Sequence, residues 1–367
     1  MTSAEMTTAT PLTHLAATAV LRELPKSPGV WAQAWTRLKN DRVGMVSLYV
    51  TLFFIGLVLL AQLGVVGKNW QTEVGTPFAP PHFVGKIVDG SQSAVVETIA
   101  GAAVDLSDVD PLAPRYKEWA ERASKVTTTA TIKSDTLPFG GDQLGRDVLS
   151  KVIKGAQVSI TVGLAAALFA TLIGTILGAV GGYFGGPVGD FLEWVYNVFT
   201  AIPYILLVFA LAAVLKSGPL AGTLGSGVWT VVIILSLVGW TGIYRLVRAE
   251  YIKHRAREYV MAAQAIGASH ASRMFTHILP NISHVVLVQL SLHVVGFIKA
   301  EVILSFLGLG VPIDMVSWGT MLAEAQTELV LGKWWQLVAA TVFMASFVTA
   351  FALLTDALRD ALDPKLR

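Results

Sequence analysis

Six stretches rich in apolar residues (45–64, 158–183, 191–215, 228–244, 282–298 and 335–354) limit what this chain can become. Each is close to the roughly 20 residues that a helix needs to cross the hydrocarbon of a bilayer. In lipid the backbone must satisfy its own hydrogen bonds, so such stretches become helices rather than open strands. The reading is an all-α integral membrane protein with six transmembrane helices and a large extracytoplasmic insertion after the first. Of the 367 residues 54% are hydrophobic and only 14% charged, a balance a soluble domain rarely sustains.

Composition also excludes chemistry. The net charge of +2 gives no footprint for nucleic acid, and the absence of cysteine removes disulfides, thiolate metal sites and cysteine nucleophiles. No GxxxxGK[ST] phosphate cradle occurs; the Gly-Lys pairs at 67–68, 85–86 and 332–333 lack the loop before them. The chain is therefore not expected to hydrolyse ATP, to act as an enzyme or to bind a cofactor or metal directly. His277, His284 and His293 are too far apart for one helical turn and read as packing residues.

Charge sets the topology. Arg37, Lys39 and Arg42 precede the first span and place the 1–44 tail in the cytoplasm, where 31–40 either lies on the membrane surface as an amphipathic helix or frays. Residues 65–157 form the extracytoplasmic insertion, with prolines at 77, 80, 81, 111, 114 and 138. Part of it is expected to fold into a small element, because a bare connection of that length is unusual. Residues 116–126 read as helix, and 94–106 as strand or helix. Toward its end Asp142 is placed to cap an interfacial helix whose Val148, Leu149, Val152 and Ile153 form a stripe against the membrane.

A five-helix core is expected over 158–356. In its first helix Gly174, Gly178 and Gly182 recur every four residues and offer a face for close helix packing. The turn at 181–186 carries no Lys or Arg. Pro203 should kink the next span. From 245 to 273 Arg245, Arg248, Lys253, Arg255, Arg257 and Arg273 outnumber Glu250 and Glu258, which places the loop at 245–281 in the cytoplasm. Arg359, Lys365 and Arg367 return the 357–367 tail to the same side.

Within that loop, 256–281 reads as a helix, a turn and a second helix. Arg257, Glu258 and Tyr259 open the first helix, and Ala262, Ala263 and Ala265 give it a surface that a partner's backbone can approach. Gly267 stands at a helix C′ position, followed by Ala268, and Ser269 can cap the second helix. Leu279 and Pro280 then begin the fifth span.

This stretch resembles the EAA loop of bacterial ABC importer permeases, matching at Ala262, Ala263, Gly267, Leu279 and Pro280. Met261 stands where the motif has Glu, and His277 where it has Ile; Glu258, one turn earlier, is a candidate replacement for the carboxylate. The segment at 141–159 and the tail from 355 resemble the dipeptide and oligopeptide branch, with Gln157 and Thr355 as departures. Residues 299–322 resemble that branch's outer signature through Glu301, Ser305, Phe306, Gly308, Gly310, Pro312 and Trp318. The glycines and proline would break the helix near the outer face, and Trp318 would anchor the loop at the interface.

The resemblance implies a type I permease fold in the bacterial inner membrane. It implies a second, homologous permease, two ATPase subunits carrying ATP and Mg, a periplasmic substrate-binding protein and a peptide-like substrate. Lys299 and Glu301, ionisable residues near a span end, keep an ion-gradient-driven transporter as the alternative. The sequence does not choose among dipeptides, longer peptides, metal chelates, glutathione and peptide antibiotics. It also leaves open the path-lining residues and the role of 65–135.

Overall fold

The computed structural model describes residues 30–85, 115–124, 133–217, 227–312 and 314–362. The undecided segment at 94–106 and the tail residues Lys365 and Arg367 lie outside them.

The described helices are α1 (Val30–Asn40), α2 (Arg42–Gln62), α3 (Tyr116–Ser124), α4 (Val148–Phe184), α5 (Gly186–Ala201), α6 (Tyr204–Ser217), α7 (Val228–Arg255), α8 (Glu258–Ala265), α9 (Leu279–Phe306), α10 (Trp318–Val330) and α11 (Trp335–Leu362). A π-helical stretch, Ser272–Ile278, joins α9 from below. Five helices are long and apolar enough to cross a membrane, and α5 with α6 forms a sixth, broken candidate.

Local chemistry sets the ends. Asp41 caps α2 by accepting from the Val43 amide, and Asp147 caps α4 by accepting from Leu149 and Ser150. The cap of α4 is thus Asp147 and not Asp142. Among the described residues no separate interfacial helix precedes the second span, because α4 runs unbroken for 37 residues, about 55 Å at 1.5 Å per residue. At that length it exceeds the roughly 30 Å of bilayer hydrocarbon, and Val148, Val152 and Ile153 of its first turns are buried in the main core.

Other boundaries move for equally local reasons. At Pro203 the chain turns through 93° between α5 and α6, a break rather than a kink, with Ile202 in extended backbone before the proline. The fourth span continues to Arg255 and the sixth to Leu362. The second short helix and the fifth span are one continuous rod from His270 to Phe306. Pro280 lies inside that rod rather than at its start. A proline ring inside an α-helix collides with the carbonyl four residues back, and the wider π turns lie immediately before it.

The glycines of α4 meet α7. A Cβ at Gly174 would overlap the Ile243 side chain; at Gly178 it would lie 2.8 Å from the Tyr244 carbonyl, and at Gly182 2.6 Å from that of Arg248. The partners advance along α7 as the glycines advance along α4, so the two helices run parallel. Antiparallel to them, α9 packs its Ile298 into Gly163 and its Phe297 into Gly239 of α7.

Contacts sort the helix ends into two groups. At one end Gln62 meets Thr161, Lys216 donates to the Gly310 carbonyl, and Trp335 Nε1 donates to Gly141 at 2.7 Å. At the other end Ala34 of α1 packs with Ala361, Leu362 and Leu358, and Arg37 donates to the Ala361 carbonyl at 3.4 Å. One face of α1 is therefore taken up by protein, while Trp35 stays exposed beneath the Lys39 ammonium.

The flanks of the insertion fold onto each other through isolated bridges pairing Glu73 with Arg146, Gly75 with Ser134, Pro81 with Leu137 and Gly141 with Asp147. Beneath them lies a buried ionic cluster. The Lys151 ammonium, fully buried, donates to Asp142 at 2.8 Å, to Glu324 and to Gln336 at 3.3 Å, and Arg146 reaches Asp142 at 2.6 Å. It ties insertion, α4, α10 and α11 together.

Candidate coupling and gate sites

The loop at the second end of the bundle is built on a small core of its own. Val260 of α8 is buried with Tyr251 and Val247 of α7, Met274 and Ile278 of the π stretch, and Ile282 of α9, and Ala263 of α8 is buried as well. A helix of eight residues is marginal alone in water, so this packing holds it. Its end is a Schellman turn: Gly267 has φ +85, its amide donates to Gln264, and the Ala268 amide donates to Ala263. Ser269 then caps the next helix, its hydroxyl oxygen accepting from the Ser272 amide at 3.2 Å.

Polar contacts clasp this loop to the helix ends above it. Arg255 Nη1 donates to the carbonyls of Gly182 and Tyr183 at 3.4 and 3.3 Å, which brings to the end of α4 the cation its own turn lacks. Arg273 donates to Gln264 at 2.7 Å and lies over the Tyr183 ring, while Tyr251 donates to the Met274 carbonyl at 3.0 Å. His254 meets the Tyr259 hydroxyl at 2.8 Å.

What faces outward is apolar and small. Met261 is 52% exposed and Ile266 85% exposed, with Tyr259, Ala262, Ala265 and Phe275 also open. Met261 stands on this outward surface at the place of the motif carboxylate. Arg257 and Glu258 are exposed at the start of α8, and Glu258 forms no ion pair among the described residues. Leu279 is half-buried and Pro280 exposed in the rod that follows.

At the opposite end of that rod α9 stops in a second Schellman turn. Gly308 has φ +77 and donates to Ser305, and the Leu309 amide donates to Leu304 at 2.8 Å. Gly310 folds so tightly onto Ser305 that a Cβ would collide with it, Pro312 follows, and Phe306 stays exposed. Trp318, expected at the interface, is instead fully buried, donating from Nε1 to the Val152 carbonyl at 3.2 Å and packing against Phe54 and Phe347. Because Trp318 opens α10 directly behind the Ser317 cap, its side chain turns inward to the bundle core.

Glu301 is fully buried. It accepts from the Ser159 hydroxyl at 2.7 Å and from the Ser305 hydroxyl at 2.6 Å, whereas Lys299 is exposed. Sequence reasoning singled out Glu301 without its hydroxyl partners, and it missed the Lys151 cluster altogether. The available signal was a lysine inside the apolar VLSKVI stretch; nothing in the spacing pointed to Glu324, 173 residues away.

Electrostatics of the Lys151 cluster follow from burial and neighbouring charge. Burial alone would raise the Asp142 pKa, but the Lys151 ammonium and Arg146 outweigh it and hold the carboxyl below its ordinary value. Glu328 goes the other way. Burial, with the Asp142 and Glu324 carboxylates nearby, pushes it up to about 7 despite Lys151 and the Gln143 amide.

Comparison with known proteins defines the class. Residues 159–367 match the binding-protein-dependent transport system inner membrane component family, and residues 29–81 match the N-terminal TM domain of oligopeptide transport permease C. The chain belongs to this family of permeases and is a multi-pass transport component. It is 33% identical over 334 residues, 91% of this chain and 85% of the relative, to the dipeptide transport system permease protein DppC of Bacillus subtilis (strain 168). It is 36% identical over 246 residues to the oligopeptide transport system permease protein OppC of the same strain, covering 66% of this chain and 77% of that one. The glutathione transport system permease protein GsiD of Salmonella typhimurium (strain LT2) is 39% identical over 229 residues, 62% of this chain and 72% of its own.

Proposed function

We propose that this chain is the permease subunit of an ATP-binding cassette importer for peptides or peptide-like compounds. In this reading it crosses the inner membrane six times in the type I arrangement, counting α5 with α6 as one crossing, and keeps both ends in the cytoplasm. It works with a second, homologous permease, two subunits that bind ATP and Mg, and a periplasmic substrate-binding protein.

The observation that carries the reading is the outward face of α8. A firmly seated helix presents Met261, Ala262 and Ile266 away from its own bundle, at the end where Arg245, Arg248, Lys253, Arg255 and Arg257 gather. An apolar, small-residue surface in water asks for a partner. ATP-driven closure of the ATPase subunits would move this surface, and the helices rooted in it would follow. Family membership sets aside the ion-gradient alternative, and the hydroxyl groups around Glu301 account for that carboxylate without a transported cation.

The test is affinity purification of the tagged chain in mild detergent beside Ile266→Asp. The wild type is expected to bring down ATPase subunits and a second permease. The variant should lose the ATPases and keep the permease, since Ile266 has no part in the chain's own core. A wild type that purifies alone would sink the reading.

A further inference from the structure

Glu301 sits in an arrangement that its neighbours dictate. Ser159 of α4 accepts the Trp318 amide at 3.2 Å and so turns its hydroxyl hydrogen to Glu301 Oε2. Ser305 accepts the Val311 amide at 3.2 Å and turns its own to Oε1. One side chain thereby holds, through two hydroxyls, the backbone at Val311 within the loop at 307–317 and at Trp318 just after it. Close packing makes the same connection: a Cβ at Gly319 would lie 2.6 Å from the Val302 carbonyl, and one at Gly155 3.2 Å from the Ser317 carbonyl carbon.

We propose that Glu301 is a positioning residue for transport, the pin that locks the outer loop to α4 and α9 so that the three move as one body. The inference rests on reading the chain as an importer permease, and it goes beyond that reading by assigning the work to hydrogen bonding at one atom pair. The carboxylate is buried with no cation on either oxygen among the described residues, so its hydroxyl donors, Ser159 and Ser305 with Ser317 beside them, are what stabilise it. Removing them frees the loop.

The chain has no cysteine, so spin labels can be attached at Asp314→Cys and Lys154→Cys in the assembled complex once partner cysteines are blocked. The wild type should give one narrow label distance. Glu301→Leu should broaden it and lower uptake of a radiolabelled dipeptide about tenfold, the scale of a lost charged hydrogen-bond pair. Glu301→Gln, which keeps one acceptor, should restore most of both. Ser159→Ala with Ser305→Ala should reproduce Glu301→Leu, and it takes that variant's place if the latter fails to assemble. A narrow distance and near-normal uptake in the double serine variant would overturn the pin. A wild-type complex that moves no dipeptide would overturn the substrate reading instead, while the label distances would still judge Glu301.

Discussion

Gly182 shows how one hydrogen atom in place of a side chain shapes the bundle. A methyl group there would press on the Arg248 carbonyl and on the Tyr251 Cβ at 2.7 Å, and both are fixed by the α7 backbone. Gly182→Ala is expected to cost about 1–3 kcal/mol, as overpacking of a tight core does, and to lower the melting temperature in detergent. At Gly267 the space is open and the backbone is the constraint. Gly267→Ala should cost about 1 kcal/mol through its positive φ and raise amide exchange in α8, with the α4 seam untouched. The glycine period and the C′ position were both legible in sequence because each is a local rule. Trp318 was not: a tryptophan beside glycine and proline reads as an interface anchor until the Ser317 cap turns it inward.

Insertion, α4, α10 and α11 meet at the buried Lys151 cluster. Lys151→Met would strip the buried Asp142 carboxylate of its ammonium partner and should destabilise the fold by about 3–5 kcal/mol, read as loss of the folded complex on heating. Its carboxylates respond to pH in opposite senses. Glu328 has its pKa raised from 4.5 to about 7, so the stability it contributes is present below 4.5 and is lost as pH rises through about 7. Asp142, held below 3.8, contributes stability above that value and loses it as pH falls. Melting followed from pH 5 to 8 should show a decline that Glu328→Gln flattens. No sequence pattern foretold this, because the partners come from the insertion, α4, α10 and α11, and only tertiary packing brings them together. Helix ends were misjudged for a related reason. Hydropathy marks where lipid stops, whereas α4 and α7 continue into protein on either side.

At the scale of the whole molecule, the existence and order of the membrane-crossing segments were readable from apolar run length, while the clustered arginines give a sidedness that labelling must judge. The break at Pro203 and the continuity through Pro280 were not, since proline alone does not say whether a neighbouring π turn will accommodate it. Single cysteines at Phe83 and at Ile266, both exposed, should react with an impermeant maleimide from opposite faces of sealed vesicles. Labelling of both from one side would refute the arrangement.

The rod from His270 to Phe306 is held most closely where Phe297 and Ile298 enter the glycine notches of α7 and α4. That seam divides it unequally, with about 40 Å on the arm toward α8 and about 12 Å on the arm toward Gly308 at 1.5 Å per residue. A rigid lever pivoting there moves its two ends in opposite directions, the inner end roughly three times as far. A broad swing beside the ATPases would then arrive at the outer mouth as a short, reversed displacement, opening one side as it narrows the other.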